Sequence, residues 1–141
     1  MKLLVPVDGS ENALRALRYA IDLLQKLRAG GTITLLNVHD DTALRHASRY
    51  VGRQAVDDYL ADLSKADTAD AVELLGAAGL PVDAQHRVGP VAEEIVRFAS
   101  EFGYDLIVLG AKGRSSLRDL LVGSVAHKVS NIASTAVLIV R

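Results

Sequence analysis

Residues 110–129, "GAKGRSSLRDLLVGSVAHKV", set three glycines among basic and hydroxyl side chains directly after the apolar run Leu106, Ile107, Val108 and Leu109. A glycine lets a ligand approach backbone N–H groups with no Cβ in the way, and a helix N-terminus offers unpaired N–H donors and a partial positive charge. Gly123 and Ser124 stand where a helix should begin, and Lys112, Arg114 and Arg118 lie close by in sequence. Ser124 can cap that helix, turn its hydroxyl to a phosphate, or do both. Bare backbone, positive charge and a hydroxyl together suit a polyphosphate. The chain has no G-x-x-x-x-G-K-[ST] and no G-x-G-x-x-G, so neither a P-loop nor a dinucleotide fingerprint applies. The spacing is instead Gly110, two residues, Gly113, nine residues, Gly123 and Ser124.

Five short apolar runs have strand length: 3–7, 33–38, 82–88, 106–110 and 136–140. Between them lie stretches with helical spacing, such as Leu14, Leu17, Ile21, Leu24 and Leu27, or Val91, Ile95, Val96 and Ala99. Strand and helix in alternation predict a parallel sheet covered on both faces. Four of the runs are nearly continuous in apolar residues, as strands buried on both faces are. The third alternates Val82, Ala84, His86 and Val88 with Asp83, Gln85 and Arg87, which marks an edge strand. Ser10 is placed to cap a helix running to about Arg28, and Pro90 suits a first helical position, with Glu93 and Glu94 in the opening turn. Val51, Ala55, Tyr59, Leu63, Ala66, Asp70 and Leu74 loosely trace one face of a long helix over about 52–78, preceded by an irregular, mobile stretch. One domain over residues 1–141 is expected, with no linker or repeat.

Ligands of an open parallel sheet sit beyond the carboxyl ends of its strands, at the point where neighbouring connections diverge. Three segments end strands there: "PVDGS" (6–10), "NVHD" (37–40) and "GAKG" (110–113). With "VPVDGS" at the first strand and the ending "AVLIVR", the G-x2-G-x9-G-S pattern resembles the ATP-binding branch of the universal stress protein family over essentially the whole chain. The resemblance implies a Rossmann-like fold of the adenine nucleotide alpha hydrolase type, a five-stranded parallel sheet of order 3-2-1-4-5 with helices on both faces. It places Pro6, Val7 and Asp8 at adenine and ribose, and the main chain of Val38 against adenine. It also places Gly110 and Gly113 by ribose and phosphates, and Ser124 with the Val125 backbone at the distal phosphates, beside Gly123. Lys112 and Arg114 are expected near phosphate, and Arg118 at the solvated surface. Mg²⁺ or Mn²⁺ should arrive with the nucleotide. Relatives often carry a hydroxyl residue and an arginine where Ala111 and Lys112 stand, and often a basic residue at Asp119; lysine keeps the charge but not the bidentate fork.

A nucleotide-dependent sensor or partner-binding module in stress adaptation, with slow or negligible hydrolysis, is the expected function, and its protein partner is unidentified. An ATP pyrophosphatase is one alternative, although "VDGSEN" matches the glycine- and serine-rich loop of such enzymes poorly. The other alternative is a dimeric stress protein that binds no nucleotide; that branch lacks the glycine motif. The last strand, uncharged until Arg141, is expected at a sheet edge, pairing with its copy in a homodimer as relatives do.

Sixteen basic against seventeen acidic residues leave no overall field favouring nucleic acid or an anionic membrane. The chain has no cysteine and no run of eighteen apolar residues, and the apolar start stops at Asp8, too soon for a signal peptide. A soluble cytoplasmic protein is expected. The four histidines, His39, His46, His86 and His127, lack metal-ligand spacing, and His39 is expected as a partly exposed loop residue near the adenine edge.

Overall fold

The computed structural model describes residues 1–27, 30–42, 49–112 and 122–141. In chain order the elements are β1 (Lys2–Pro6), α1 (Glu11–Leu27), β2 (Thr32–His39), α2 (Arg53–Ala77), β3 (Asp83–Val88), α3 (Val91–Glu101), β4 (Leu106–Gly110), α4 (Ser124–Ile132) and β5 (Ala136–Val140). All five strands are parallel and lie in the order β3-β2-β1-β4-β5, as the resemblance implied. Chain direction across the sheet reverses between β1 and β4, which opens a crevice at their carboxyl ends.

Alternation along the strands divides the core into two layers. Leu3, Val5, Ile33, Leu35 and Val108 pack under α1 and α2; Leu4, Leu36, Ile107 and Leu109 pack under α3 and α4. Each fully buried leucine contributes roughly 1.5–3 kcal/mol relative to an exposed one. The α1 stripe facing the sheet is Ala13, Ala16, Leu17, Ala20, Ile21 and Leu24. The expected stripe overreached at its ends, since Leu14 is only partly buried and Leu27 is exposed. Alanines replace those leucines at the contact and let the helix lie close on the strands.

The expected extent of α2 matches within a residue, but its buried face does not. Leu60, Ser64, Asp67, Thr68, Ala71 and Leu75 face the sheet, while Val51 and Tyr59 are exposed. The true face is one residue out of step with the apolar trace, about 100° around the helix at 3.6 residues per turn. Half of that face is polar and satisfied internally: the Thr68 hydroxyl donates to the Ser64 carbonyl at 2.8 Å, and Asp67 bonds His39. Such a face gives no hydrophobic signal. Residues 49–51 are helical rather than irregular, and Gly52, at φ 85°, turns the chain into α2. Residues 43–48, the rest of the stretch expected to be irregular, lie outside the described residues.

Two helix starts differ by one residue from expectation. Pro90 is the N-cap of α3 rather than its first helical residue. Gly123 is the N-cap of α4, and Ser124 is its first residue rather than its cap. Ser10 does cap α1, its hydroxyl accepting the Ala13 N–H at 3.2 Å. The strand β3 is an edge strand, as its alternation predicted, though Ala84 and Val88 on its more apolar side are exposed. At the opposite edge, β5 has partly buried side chains on both faces: Leu138 and Val140 pack on the α1 side, Val137 and Ile139 on the α3 side.

Candidate functional site

A cavity of about 260 Å³ lies at the carboxyl ends of β1, β2 and β4. Pro6, Val7 and Asp8 line it from β1, Val38 from β2, Gly110 and Lys112 from β4, and Gly123, Ser124 and Val125 from the start of α4. Nine of the eleven residues expected from the sequence are thus brought to one place; Gly113 and Arg114, with Arg118, lie outside the described residues. Leu36, Val91, Ile95 and Leu109 supply an apolar wall.

Local hydrogen bonds explain how the walls are held. The Asp8 carboxylate accepts the Ser10 N–H at 3.0 Å, so this aspartate shapes the turn into α1 as well as lining the cavity. The Ala111 N–H donates to the Val140 carbonyl at 2.7 Å, and the Gly123 N–H donates to the Ala111 carbonyl at 2.6 Å. Those two bonds seat the beginning of α4 against the end of β4. Among the described residues no side chain caps α4, which leaves its opening N–H groups and the positive end of its dipole beside the cavity. Lys112 is the one cation among the described residues of the wall.

Gly110 is needed for a reason the sequence hid. A Cβ there would fall 2.6 Å from the Asn12 carbonyl oxygen and 2.7 Å from its carbon. The first turn of α1 occupies the space that a side chain would fill, so the glycine sets the depth to which α1 sinks over β4.

His39 departs most from expectation. It ends β2 rather than sitting in a loop, and its side chain is only 14 % exposed. Nε2 lies 3.0 Å from Asp67 Oδ2, and Nδ1 lies 3.2 Å from His86 Nε2. Both ring nitrogens are therefore engaged, and the imidazole offers the cavity its carbon edge and face. Sequence reasoning missed the engagement of His39 by Asp67 and His86, since Asp67 is 28 residues from His39 and lies on a helix face with no apolar periodicity. Among the described residues no group of three or more His, Asp or Glu side chains is placed to hold a metal ion.

Burial, then the neighbouring His39 and Arg87, hold the His86 imidazole below its usual range. The unfolded chain takes up that proton near pH ~6.5, where the folded chain does not. Stability is therefore complete above that pH and declines as pH falls through it toward the lower folded value. Urea unfolding at pH 7.5 and at pH 5 should show the loss, and His86→Gln should make it smaller. An equal loss in the variant would assign the pH dependence to other groups.

The profile of the universal stress protein family matches residues 1–141, and the chain belongs to that family. It is 32% identical over 147 residues to the universal stress protein YxiE of Bacillus subtilis, covering 99% of this chain and 98% of that protein. The solved structure of MJ0577 from Methanocaldococcus jannaschii superposes with a TM-score of 0.84 at 29% identity, covering 99% of this chain and 94% of the other. A universal stress protein from Archaeoglobus fulgidus, solved in complex with dAMP, has a TM-score of 0.68 at 25% identity and covers 100% of this chain and 98% of its own.

Proposed function

We propose that this protein binds ATP in the cavity at the ends of β1, β2 and β4 and acts as a nucleotide-dependent sensor or partner-binding module in stress adaptation. The observation that supports this most is the start of α4, uncapped among the described residues and held by the Gly123 and Ala111 bond beside Lys112 and the apolar wall. An apolar slot next to a helix N-terminus and a cation suits a base joined to phosphates. The dAMP complex of the Archaeoglobus fulgidus relative supports a nucleotide as the ligand class.

In this reading Val38 and the apolar wall take adenine, Asp8 the ribose, and Gly110, Lys112, Ser124 and the Val125 backbone the phosphates. Gly113 and Arg114 belong to the same proposed set. Mg²⁺ or Mn²⁺ would come with the phosphates and keep most of its water, since the described residues offer no ligand group of their own. The protein would work in the cytoplasm, as a homodimer through β5, with a protein partner yet to be found; no described helix is long and apolar enough to cross a membrane. Mass spectrometry of small molecules released from protein purified without added nucleotide tests the reading. An adenine nucleotide is the expected find, and a ligand of another class filling the site would contradict it.

Hydrolysis should be slow. The two ring nitrogens of His39 are engaged, and the Asp8 carboxylate accepts the turn hydrogen bond from Ser10 and lies on the ribose side in this reading, so among the described residues no general base is oriented at the phosphate end. Steady-state turnover is expected well below the roughly 1–1,000 per second of ordinary enzymes. A rate within that range, lost in Asp8→Asn, would make the protein an enzyme instead.

A further inference from the structure

A second cavity, of about 400 Å³, opens on the α3 side of β2 and β3 and shares no lining residue with the first. Strand register places it there. Thr34 pairs with Asp83, Leu36 with Gln85 and Val38 with Arg87, so these side chains share the sheet face on which α3 packs. The helix covers Leu4, Leu36 and Ile107 and stops short of β3, whose Asp83 and Gln85 are exposed. Hydrogen bonds hold the floor: the Asp83 carboxylate accepts the Thr34 hydroxyl at 2.8 Å and the Gln85 amide at 2.7 Å. Phe98, Phe102 and Tyr104 form an aromatic wall, with the Phe98 centroid 4.6 Å from that of Phe102 and 5.8 Å from that of Tyr104.

Two cations flank these rings. The guanidinium carbon of Arg87 lies over Phe98, 5.0 Å from its centroid, which positions the group and leaves its N–H donors for another partner. Among the described residues Arg87 makes no hydrogen bond or ion pair. Lys2 Nζ lies 4.7 Å from the Tyr104 centroid and donates to the Phe102 carbonyl at 2.6 Å, with donors to spare. Burial, countered by Thr34 and reinforced by Asp83, raises the Tyr104 phenol above its ordinary range, so that ring stays neutral. Two cations against the one carboxylate of Asp83 leave a single positive charge in the cavity, the complement of a monoanion. Phe102, 43% exposed, and the half-buried Tyr104 offer ring surface to a flat apolar body.

We propose that this cavity is a second ligand site, for a small aromatic carboxylate whose ring packs on Phe102 and Tyr104 and whose oxygens accept hydrogen bonds from Arg87. A guanidinium fork meets a carboxylate through two parallel bonds, and an aromatic-lined hollow with a few convergent polar groups is the form that small-molecule sites take. The assignment does not depend on the ATP reading. With no lining residue in common, the two cavities can be filled together.

Titration of 2-naphthoate into the isotope-labelled full chain, followed through backbone amide shifts by NMR, tests the assignment. Saturable shifts at Gln85, Arg87, Phe102 and Tyr104 are expected, the same with and without ATP. On the unaltered protein 2-naphthamide, which keeps the rings without the charge, should bind roughly tenfold more weakly or worse, and 2-naphthyl phosphate should bind no tighter than the carboxylate. Arg87→Gln should weaken naphthoate by roughly tenfold or more and leave the amide within about twofold, a split that a general loss of structure would not give. Thermal melting monitors the fold of the variant. Shifts that are absent, or that fall at the first cavity and vanish with ATP, overturn the proposal. Equal binding of naphthoate and naphthamide overturns it without recourse to any variant, as does undiminished naphthoate binding by folded Arg87→Gln. Tighter binding of the phosphate overturns the choice of a monoanion.

Discussion

Gly110→Ala should destabilise the protein by about 2 kcal/mol, within the roughly 1–3 kcal/mol range for overpacking a close-packed site. The new methyl would lie 2.6 Å from the Asn12 carbonyl oxygen, and that oxygen belongs to helix backbone rather than to a side chain that can swing aside. The first turn of α1 must lift away from β4. Asp8 and Ala13 in that region line the cavity, so ATP binding should weaken along with stability. Gly76→Ala is the matching control. It lies within α2 with nothing within 4 Å of the added Cβ, and there the same change should be neutral or stabilising by up to ~1 kcal/mol through the helix preference of alanine. Urea unfolding of the two variants should therefore move in opposite directions. A Gly110→Ala midpoint equal to that of the parent would show that α1 is not seated on this glycine.

Ile139→Pro should convert a dimer into a monomer. The Val140 carbonyl accepts the Ala111 N–H, so the backbone of Val140 faces β4. Backbone direction alternates along a strand, which turns the N–H and C=O groups of Val137 and Ile139 outward from the sheet. With β5 at the sheet edge and no charge before Arg141, that row is a template for a second strand. A two-fold axis through it would join two copies antiparallel and extend the sheet across both. Proline at 139 removes an outward donor from each copy while sparing the bonds to β4. Leu138→Lys is a poorer probe, because it puts a charge into the α1 layer, whereas proline keeps an apolar side chain where Ile139 packs on the α3 layer, and thermal melting of Ile139→Pro checks that layer. Sedimentation at tens of micromolar should give a dimer for the parent and a monomer for Ile139→Pro. A monomeric parent would mean that the edge stays unpaired in solution.

What was legible in the chain follows from how each feature is written there. The strands were readable because continuous apolar runs such as Leu106–Leu109 have few other uses, and the polar alternation of β3 marked its edge position. The glycine and serine spacing pointed to the carboxyl ends of β1 and β4, and the described members of that set do line one cavity. The face of α2 was not legible, because Ser64, Asp67 and Thr68 are buried through hydrogen bonds and not through hydrophobicity. The same cause hid the engagement of His39 by Asp67 and His86, which only the pairing of β2 with β3 and the packing of α2 bring together. Ser124 was misplaced by one position as a cap, since glycine and serine both suit an N-cap and sequence alone does not choose between Gly123 and its neighbour.

The most direct test of the central claim is calorimetric titration of ATP with Mg²⁺ into folded protein stripped of any carried ligand. One saturable site per chain is the predicted result. No heat of binding at millimolar ATP, at more than one temperature and with the fold verified, would contradict it.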